Sequence, residues 1–518
     1  MAIINEKKER RLIPNWRDFS TTISLGELDA SSIIPIIKPN LAIDDYIEDF
    51  RENESMPFAA DLLSAAVVNG FTDNTEVRNA AQFIFDRKNQ ATHSQFDISK
   101  NILSTKDDTF ICEIEEITIK QLAQCLPEQE YRDKIKRLKQ YVIDFPYNPI
   151  AWVELSRCYS ILGHERQAVR TMKIAVQLAP DNRFVLRCAV RLFSHYYELD
   201  LAHDILRKNN ITNLDPWIMS AEISVANLRG RNSKFIKRGV ELIDSKNLSP
   251  FSITELASSI GTIELLSGDR KKSKKMFNKS LIAPNDNSLA QIEWVLNNKD
   301  KSLIDKEQIN IEGKLNFEAR ARSNYSDKNL IEALNNTCRW FCDMPFAKRP
   351  ILFGSGIADL LNDRKFSIDF LKLGLIAHST DAQMLNNIAY YLSLENNTQD
   401  AKKYIERVNR NGLSKLNEIC LTATQGLICF RENKVDEGRQ YYLQAIEEAN
   451  NESDKYNMYI ALLNYAREEI IAKTDEIESV MQIVFKMPEI NDDDVSLKKL
   501  KDDVLNLYEK HKGRSKDK

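Results

Sequence analysis

The chain has 518 residues, 43% hydrophobic and 29% charged, enough apolar surface for a large core and too much for wholesale disorder. Its 15 glycines and 14 prolines are too few for the tight turns and phosphate loops of a sheet-rich or dinucleotide-binding enzyme, and its eight cysteines form no CxxC pair. A net charge of −4 and a pI near 6.0 disfavour a chain that works by neutralising nucleic-acid phosphates.

The N-terminal sequence MAIINEKKERRLIPNW is basic but lacks an apolar stretch of signal-peptide length, and no run reaches the roughly 18 apolar residues of a membrane span. A cytoplasmic chain without membrane segments is expected. IIPIIKPN, residues 33–40, is proline-punctuated and reads as irregular chain or a short strand. PFAADLLSAAVVNGF and NTEVRNAAQFIFDRK then read as a helical hairpin. Residues 1–130 are expected to form a mostly helical module, either a cap on a helical solenoid or a separate unit.

From Pro149 to Asn182 the chain reads PIAWVELSRCYSILGHERQAVRTMKIAVQLAPDN. Trp152, Leu155, Ser156 and Tyr159 fall at i, i+3, i+4 and i+7, one face of a helix. Ala168, Met172 and Ala175 make a matching stripe on a second helix, Gly163 sits in the turn, and Pro180 closes the unit. Counting Pro149 as position 1, these residues occupy positions 4, 7, 8, 11, 20, 24, 27 and 32 of 34, with Gly163 at 15. In that spacing the unit resembles the tetratricopeptide (TPR) repeat, with Met172 where phenylalanine is commoner. The resemblance implies a right-handed helical solenoid whose groove binds peptides or proteins. A single pair cannot bury both its faces, so neighbours must stack on it.

A second unit starting at Arg183 places Leu186, Val190, Phe193, Ala202 and Leu206 at core positions. The stretch Pro216 to Ser249 is degenerate, with Trp217, Ala221 and Gly239 suiting a helix pair. Gly261, Ser273, Phe277 and Ser280 continue the pattern, and Pro284 ends it. From Asn285 to about Gly313 the pattern lapses, and NNKDKSLIDKEQIN reads as a connection. Weaker pairs cover 312–344 and 348–381; Leu385, Ile388, Ala389, Leu392, Ala401 and Ile405, then Gly426, Gly438, Tyr442 and Ala445, restore the register. The expected organisation is an all-α, TPR-like solenoid: a first array at 131–298, an irregular linker at 299–311, a second array at 312–453, and closing helices at 454–518 with a frayed charged tail, EKHKGRSKDK.

Catalytic chemistry is hard to find. Gly354-Ser355-Gly356 lies in helical sequence and reads as close helix packing, not a phosphate loop. The histidines, His93, His164, His195, His203, His378 and His511, have no metal-ligand spacing, and His195 and His203 are expected to be solvated beside a turn. Cys338 and Cys342 read as buried thiols. Asp305, Glu312 and Lys314 resemble the carboxylate–lysine core of restriction-type nucleases in residue type alone, without its spacing or αβ context. The basic run at 269–275 reads as the solvated face of a helix. No catalytic residue, metal or cofactor is expected.

The groove face is expected one residue beyond the core stripe of each first helix, at positions 5, 9 and 12. Those positions hold Val153, Arg157 and Ser160, then Arg187, Arg191 and Ser194. Guanidinium groups capture carboxylates bidentately, so an acidic segment of a partner protein is the expected ligand. The family's carboxylate clamp has asparagine where Arg157 and Arg191 stand, so C-terminal recognition of that kind is not implied. The leading function is a non-enzymatic interaction scaffold. The alternatives are a regulatory or effector-associated subunit of an enzyme complex, and a nucleic-acid-binding helical repeat. Neither partner identity nor oligomeric state is written in the sequence.

Overall fold

A computed structural model describes residues 10–28, 43–69, 74–103, 128–245, 247–309, 311, 315–490 and 494–516. Among these there is no strand: the regular elements are α-helices and two short 3-10 turns. Residues 33–40, Glu312 and Lys314 lie outside the described residues, so neither the expected irregular segment nor the nuclease-like triplet has a described geometry. No described helix is long and apolar enough to cross a membrane.

The chain divides into two compact units. The N-terminal unit, Lys8–Arg322 with Cys342–Phe346, begins with α1 (Phe19–Ser24), α2 (Ile43–Glu52), α3 (Met56–Asn69), α4 (Thr75–Asp86) and α5 (His93–Leu103). Ten helices follow: α6 (Glu128–Asp144), α7 (Pro149–Ile161), α8 (Glu165–Leu178), α9 (Arg183–His195), α10 (Leu199–Arg207), α11 (Pro216–Leu228), α12 (Ile236–Asp244), α13 (Pro250–Leu266), α14 (Arg270–Ser280) and α15 (Asp286–Asn298). From α6 to α14 each helix packs on its successor, and first helices also pack on first helices, α9 on α11 and α11 on α13. That is how stacked pairs bury the faces a lone pair would expose. The N-terminal hairpin joins the stack directly. Asp61 on α3 accepts from the Tyr141 hydroxyl (2.6 Å) and the Asn148 amide (2.7 Å), and the Phe58 and Phe145 rings meet edge-on at 5.7 Å.

One contact recurs in the pairs. Ser156 Oγ donates to the Ala168 carbonyl at 2.8 Å, and Ser273 Oγ to the Gly261 carbonyl at the same distance, each pair twelve residues apart. These are repeat positions 8 and 20, where a small residue on each helix lets the backbones touch. Each pair then turns through one left-handed residue: Gly163 (φ 70°), Tyr197 (φ 61°), Gly230 (φ 68°) and Gly268 (φ 90°). A capping residue stands before each first helix. Asn148, Asn182, Asp215, Ser249 and Asn285 accept backbone N–H groups at the starts of α7, α9, α11, α13 and α15.

Two expectations need correction in this unit. The lapse after Asn285 begins with a regular helix: α15 starts in a capping box, and every residue from Asn287 to Leu296 is buried. A helix enclosed on all sides shows no amphipathic stripe, which is why its sequence carries no repeat signal. The connection after it is irregular in backbone but packed, with Leu303 and Ile304 buried against Phe277 and Trp294. His203 is not solvated; it is 5% exposed, its Nε2 lies 3.3 Å from Glu222, and burial pushes His203 down and Glu222 up toward their neutral forms.

The C-terminal unit includes Ser323–Phe341 and Ala347–Lys518. It is built from the end of α16 (Phe317–Ser326), most of α17 (Leu330–Asp343), α18 (Lys348–Leu360), α19 (Arg364–Ala377), α20 (Ala382–Leu394), α21 (Thr398–Glu406), α22 (Lys415–Arg431), α23 (Val435–Asn451), α24 (Lys455–Ala472), α25 (Ile477–Phe485) and α26 (Val495–Lys516). The same rules hold: Ser367 Oγ donates to the Ser355 carbonyl twelve residues away at 2.8 Å. Gly426 and Gly438 approach so closely that a Cβ on either would lie 3.0 Å from the other's carbonyl oxygen. Gly354 packs under Phe370, whose ring would sit 2.5 Å from an added Cβ, so the Gly-Ser-Gly run serves helix packing. The tail differs from expectation, for α26 stays helical to Lys516.

Candidate peptide-binding face

The first helices α7, α9, α11, α13 and α15 present a common face, and that face is occupied. Residues 10–27 of the same chain form a strap across it, extended up to Asp18 and then coiled into α1. The repeat side chains hold the strap by its backbone as well as by its side chains. Gln291 donates to the Arg10 carbonyl (3.1 Å), Asn287 to the Ile13 carbonyl (3.2 Å) and Arg183 to the Glu27 carbonyl (3.2 Å). Glu154 accepts the Phe19 N–H at 3.3 Å.

At its start the strap is clamped through arginine. Arg10 gives Nε and Nη2 to the two oxygens of Glu318 (2.9 and 3.0 Å), Nη1 to Gln291 (2.7 Å) and Nη2 to Asn287 (3.0 Å), and is 2% exposed. Arg11 Nε donates to Asn227 on α11 at 2.6 Å. Arg17 forks onto Asp343 (2.6–2.8 Å) and also reaches Asp286. Between them Leu12, Trp16 and Phe19 are fully buried, Trp16 against the Phe346 ring (5.3 Å) and Phe19 edge-on to Phe184 (4.9 Å).

At its end the strap is held more thinly. Gly26 takes a left-handed φ of 72° close to Phe251, a conformation that lets the chain turn out of α1. The Glu27 carboxylate reaches Arg187 Nη2 at 3.3 Å. Arg187 makes its shorter contact with Glu255, whose two oxygens accept at 2.8 and 3.2 Å, and its guanidinium lies over the Trp217 ring. Burial opposes the charge on Arg187, but Glu255 and Glu27 hold it protonated. Burial likewise opposes ionisation of Glu255; Arg187, Asn285 and Asn287 outweigh it and bring that carboxyl below its ordinary value. For Glu27 burial wins, and with Glu255 and Asp286 nearby its carboxyl is pushed up to about 7.

The five residues expected to line the groove are therefore placed as follows. Arg187 is on this face but buried beneath Glu27 and Glu255, and Ser160 is buried with its hydroxyl on the Ser156 carbonyl of its own helix. Arg157, Arg191 and Ser194 are half-buried. Arg157 stands near Asp18 of the strap and Glu154; burial opposes its charge, and those acids with Tyr131 hold it protonated. Arg191 lies over the Phe346 ring at 5.6 Å. Arg157 and Arg187 thus face the strap, Arg191 faces Phe346, and Ser160 bonds within its own helix. Sequence reasoning misses the strap itself. Its only local signal is the run RRLIPNWRDF, where large apolar residues alternate with arginines and no helical period accounts for them.

Among the described residues no group of three or more His, Cys, Asp or Glu gathers that could hold a metal ion. Cys338 is buried and Cys342 half-buried, and neither is in a disulfide. In the basic run on α14, Ser273, Met276 and Phe277 point inward while Lys271, Lys272, Lys274 and Lys275 are exposed, Lys272 paired with Asp269.

No family model matches the chain, and no curated protein matches it. Among solved structures it is similar to one titled "Crystal Structure of the Yeast Tom70", at 16% identity over 76% of this chain and 90% of that chain, with a TM-score of 0.28. By its own geometry the chain is an all-helical stack of antiparallel pairs with TPR-like register.

Proposed function

We propose that the chain is a cytoplasmic, non-enzymatic scaffold that holds a partner protein on its stacked helical pairs. An acidic segment of the partner is the preferred ligand of the arginines on α7 and α9. One observation carries the reading: the first helices of the N-terminal unit already hold a segment of polypeptide, extended in its first part, by its backbone carbonyl and N–H groups. Side chains arranged to read a peptide backbone are what a peptide-holding surface needs. The guanidinium groups of Arg157 and Arg191 add preference for carboxylates.

The test is affinity purification from the native cell with the wild-type chain and with an Arg157→Gln, Arg191→Gln double variant, which spares the buried Arg187 pairs. The wild type should bring down a protein in fixed stoichiometry. The variant should hold that protein about tenfold more weakly, with less salt dependence, and melt within a degree or two of wild type. Equal retention in low salt would place partner binding away from these arginines.

A further inference from the structure

We propose that the N-terminal unit carries a second binding site: a cleft between the end of α10 and the turn joining α11 to α12 takes a compact ligand bearing clustered phosphate groups. The cleft has a volume of about 510 Å³ and is lined by Arg207, Lys208, Asn209, Asn210, Asn213 and Lys234. That size suits a small ligand, whose sites run roughly from 300 to 1,000 Å³. Three cations and three amides line it, and no carboxylate among the described residues does. It uses none of the residues that hold the strap and goes beyond the scaffold reading.

The charges in the cleft are largely unspent. Arg207 and Lys234 make no ion pair among the described residues, and Lys234 lies over the Phe235 ring at 4.8 Å. Both act on the same buried carboxyl, Glu222, so two separate elements bring them together. Lys208 reaches Asp204 only at 3.7 Å, in an exposed pair of the kind that contributes little. The amides of Asn210 and Asn213 bond to no described residue, whereas Asn209 is committed to the Pro180 carbonyl (2.6 Å) and the Ile211 N–H (3.0 Å).

Two features that would repel an anion are offset. Glu222 is taken up by Ser233 and His203, and burial pushes it toward its neutral form. The carbonyl end of α10 is closed: the Leu206 carbonyl accepts from Thr212 Oγ1 (2.7 Å) and the Asn209 N–H (3.1 Å). The flanking residues 229–238, RGRNSKFIKR, add five cations and no acid, with Arg229 paired to Asp200 and Arg238 to Glu241. Guanidinium and ammonium groups converging with amide donors capture phosphate oxygens. A nucleic acid needs such charge drawn out along its backbone, whereas here it converges on a cleft.

The experiment titrates inorganic tripolyphosphate into the full chain in 150 mM salt, with calorimetry for affinity and hydrogen–deuterium exchange for the footprint. Wild type should bind one equivalent and slow exchange at residues 207–213 and 229–235. Arg207→Gln with Lys234→Gln should weaken binding about tenfold. Lys271→Gln with Lys274→Gln, which removes the same charge from the exposed face of α14, should stay within twofold of wild type. No binding in that salt, a footprint elsewhere, or equal losses in the two double variants overturns the site. A twenty-residue polyuridylate that binds more tightly than tripolyphosphate and is lost in the cleft variant overturns it in favour of a nucleic-acid surface. Adenosine triphosphate and vesicles containing phosphatidylinositol bisphosphate then separate the sources: loss of either in the cleft variant alone supports the site, as one for a soluble ligand or for a lipid headgroup. The wild-type footprint needs no variant, so a poorly folded cleft variant would not blunt the test.

Discussion

Glu27 shows how one buried side chain couples this fold to pH. Its carboxyl faces Arg187 on α9, Glu255 on α13, Asp286 on α15 and Arg17 of its own strap. Burial raises it from an ordinary 4.5 to about 7. A raised acid binds its proton more tightly in the folded chain, so its stabilising contribution is fully present below about 4.5 and is lost as pH rises through about 7. Glu255 runs the other way: its lowered carboxyl contributes above its ordinary range and loses that contribution on acidification. The two are separated by a difference measurement. Relative to Glu27→Gln, whose amide stays neutral, wild type should lose stability steadily between pH 4.5 and 7.5. Parallel melting-temperature profiles for the two proteins would show that Glu27 does not titrate in that window.

At the scale of the helix pair, the legible part of the sequence is the part dictated by contact between two helices twelve residues apart. Ser156 with Ala168, Gly261 with Ser273 and Gly426 with Gly438 are small because backbones touch there, and small residues at fixed spacing can be read from letters alone. The turn is legible only where it is glycine. Gly163 announces its turn, but the same left-handed position is held by Tyr197 (φ 61°), Lys328 (φ 63°) and Asn362 (φ 64°). Asparagine tolerates that conformation; for tyrosine and lysine it costs about 1 kcal/mol. The Tyr197 side chain is 81% exposed and so loses little packing when removed. Tyr197→Gly should therefore stabilise the chain by about 0.5–1 kcal/mol, net of the extra freedom glycine gives the unfolded state. A melting temperature equal to or below wild type would mean that the tyrosine ring contributes more than its exposure suggests.

Across the whole molecule the candidate site is only half legible. Rotating one residue from the core stripe leads to Arg187, which lies under the strap. The site's occupant is invisible, because the strap's partners lie far along the chain: Arg17 with Asp343, Arg10 with Glu318, Arg11 with Asn227. Local periodicity carries no information about such pairings, and a strap with neither helical nor strand period offers none of its own. The same enclosure hides α15, buried from Asn287 to Leu296. The strap's clamped end should behave as core. Arg17→Met would leave Asp286 and Asp343 buried without their cation, costing about 3–5 kcal/mol. A melt of the N-terminal unit unchanged by Arg17→Met would show the strap to be a surface attachment.

The 308-residue separation between Arg10 and Glu318 also sets an order of events during synthesis. Helix pairs closed by contacts twelve residues apart can form as soon as each pair leaves the ribosome. The strap, made before its partners, has no complete seat until α15 and the residues after it have emerged. Its Leu12, Trp16 and Phe19 therefore stay uncovered until that stretch of chain has been made. Forming so distant a contact is slow compared with pairing neighbours. Residues made well before their seat are thus among the last to settle, and a nascent chain halted before Glu318 would display an aromatic, arginine-rich segment that the folded chain keeps inside.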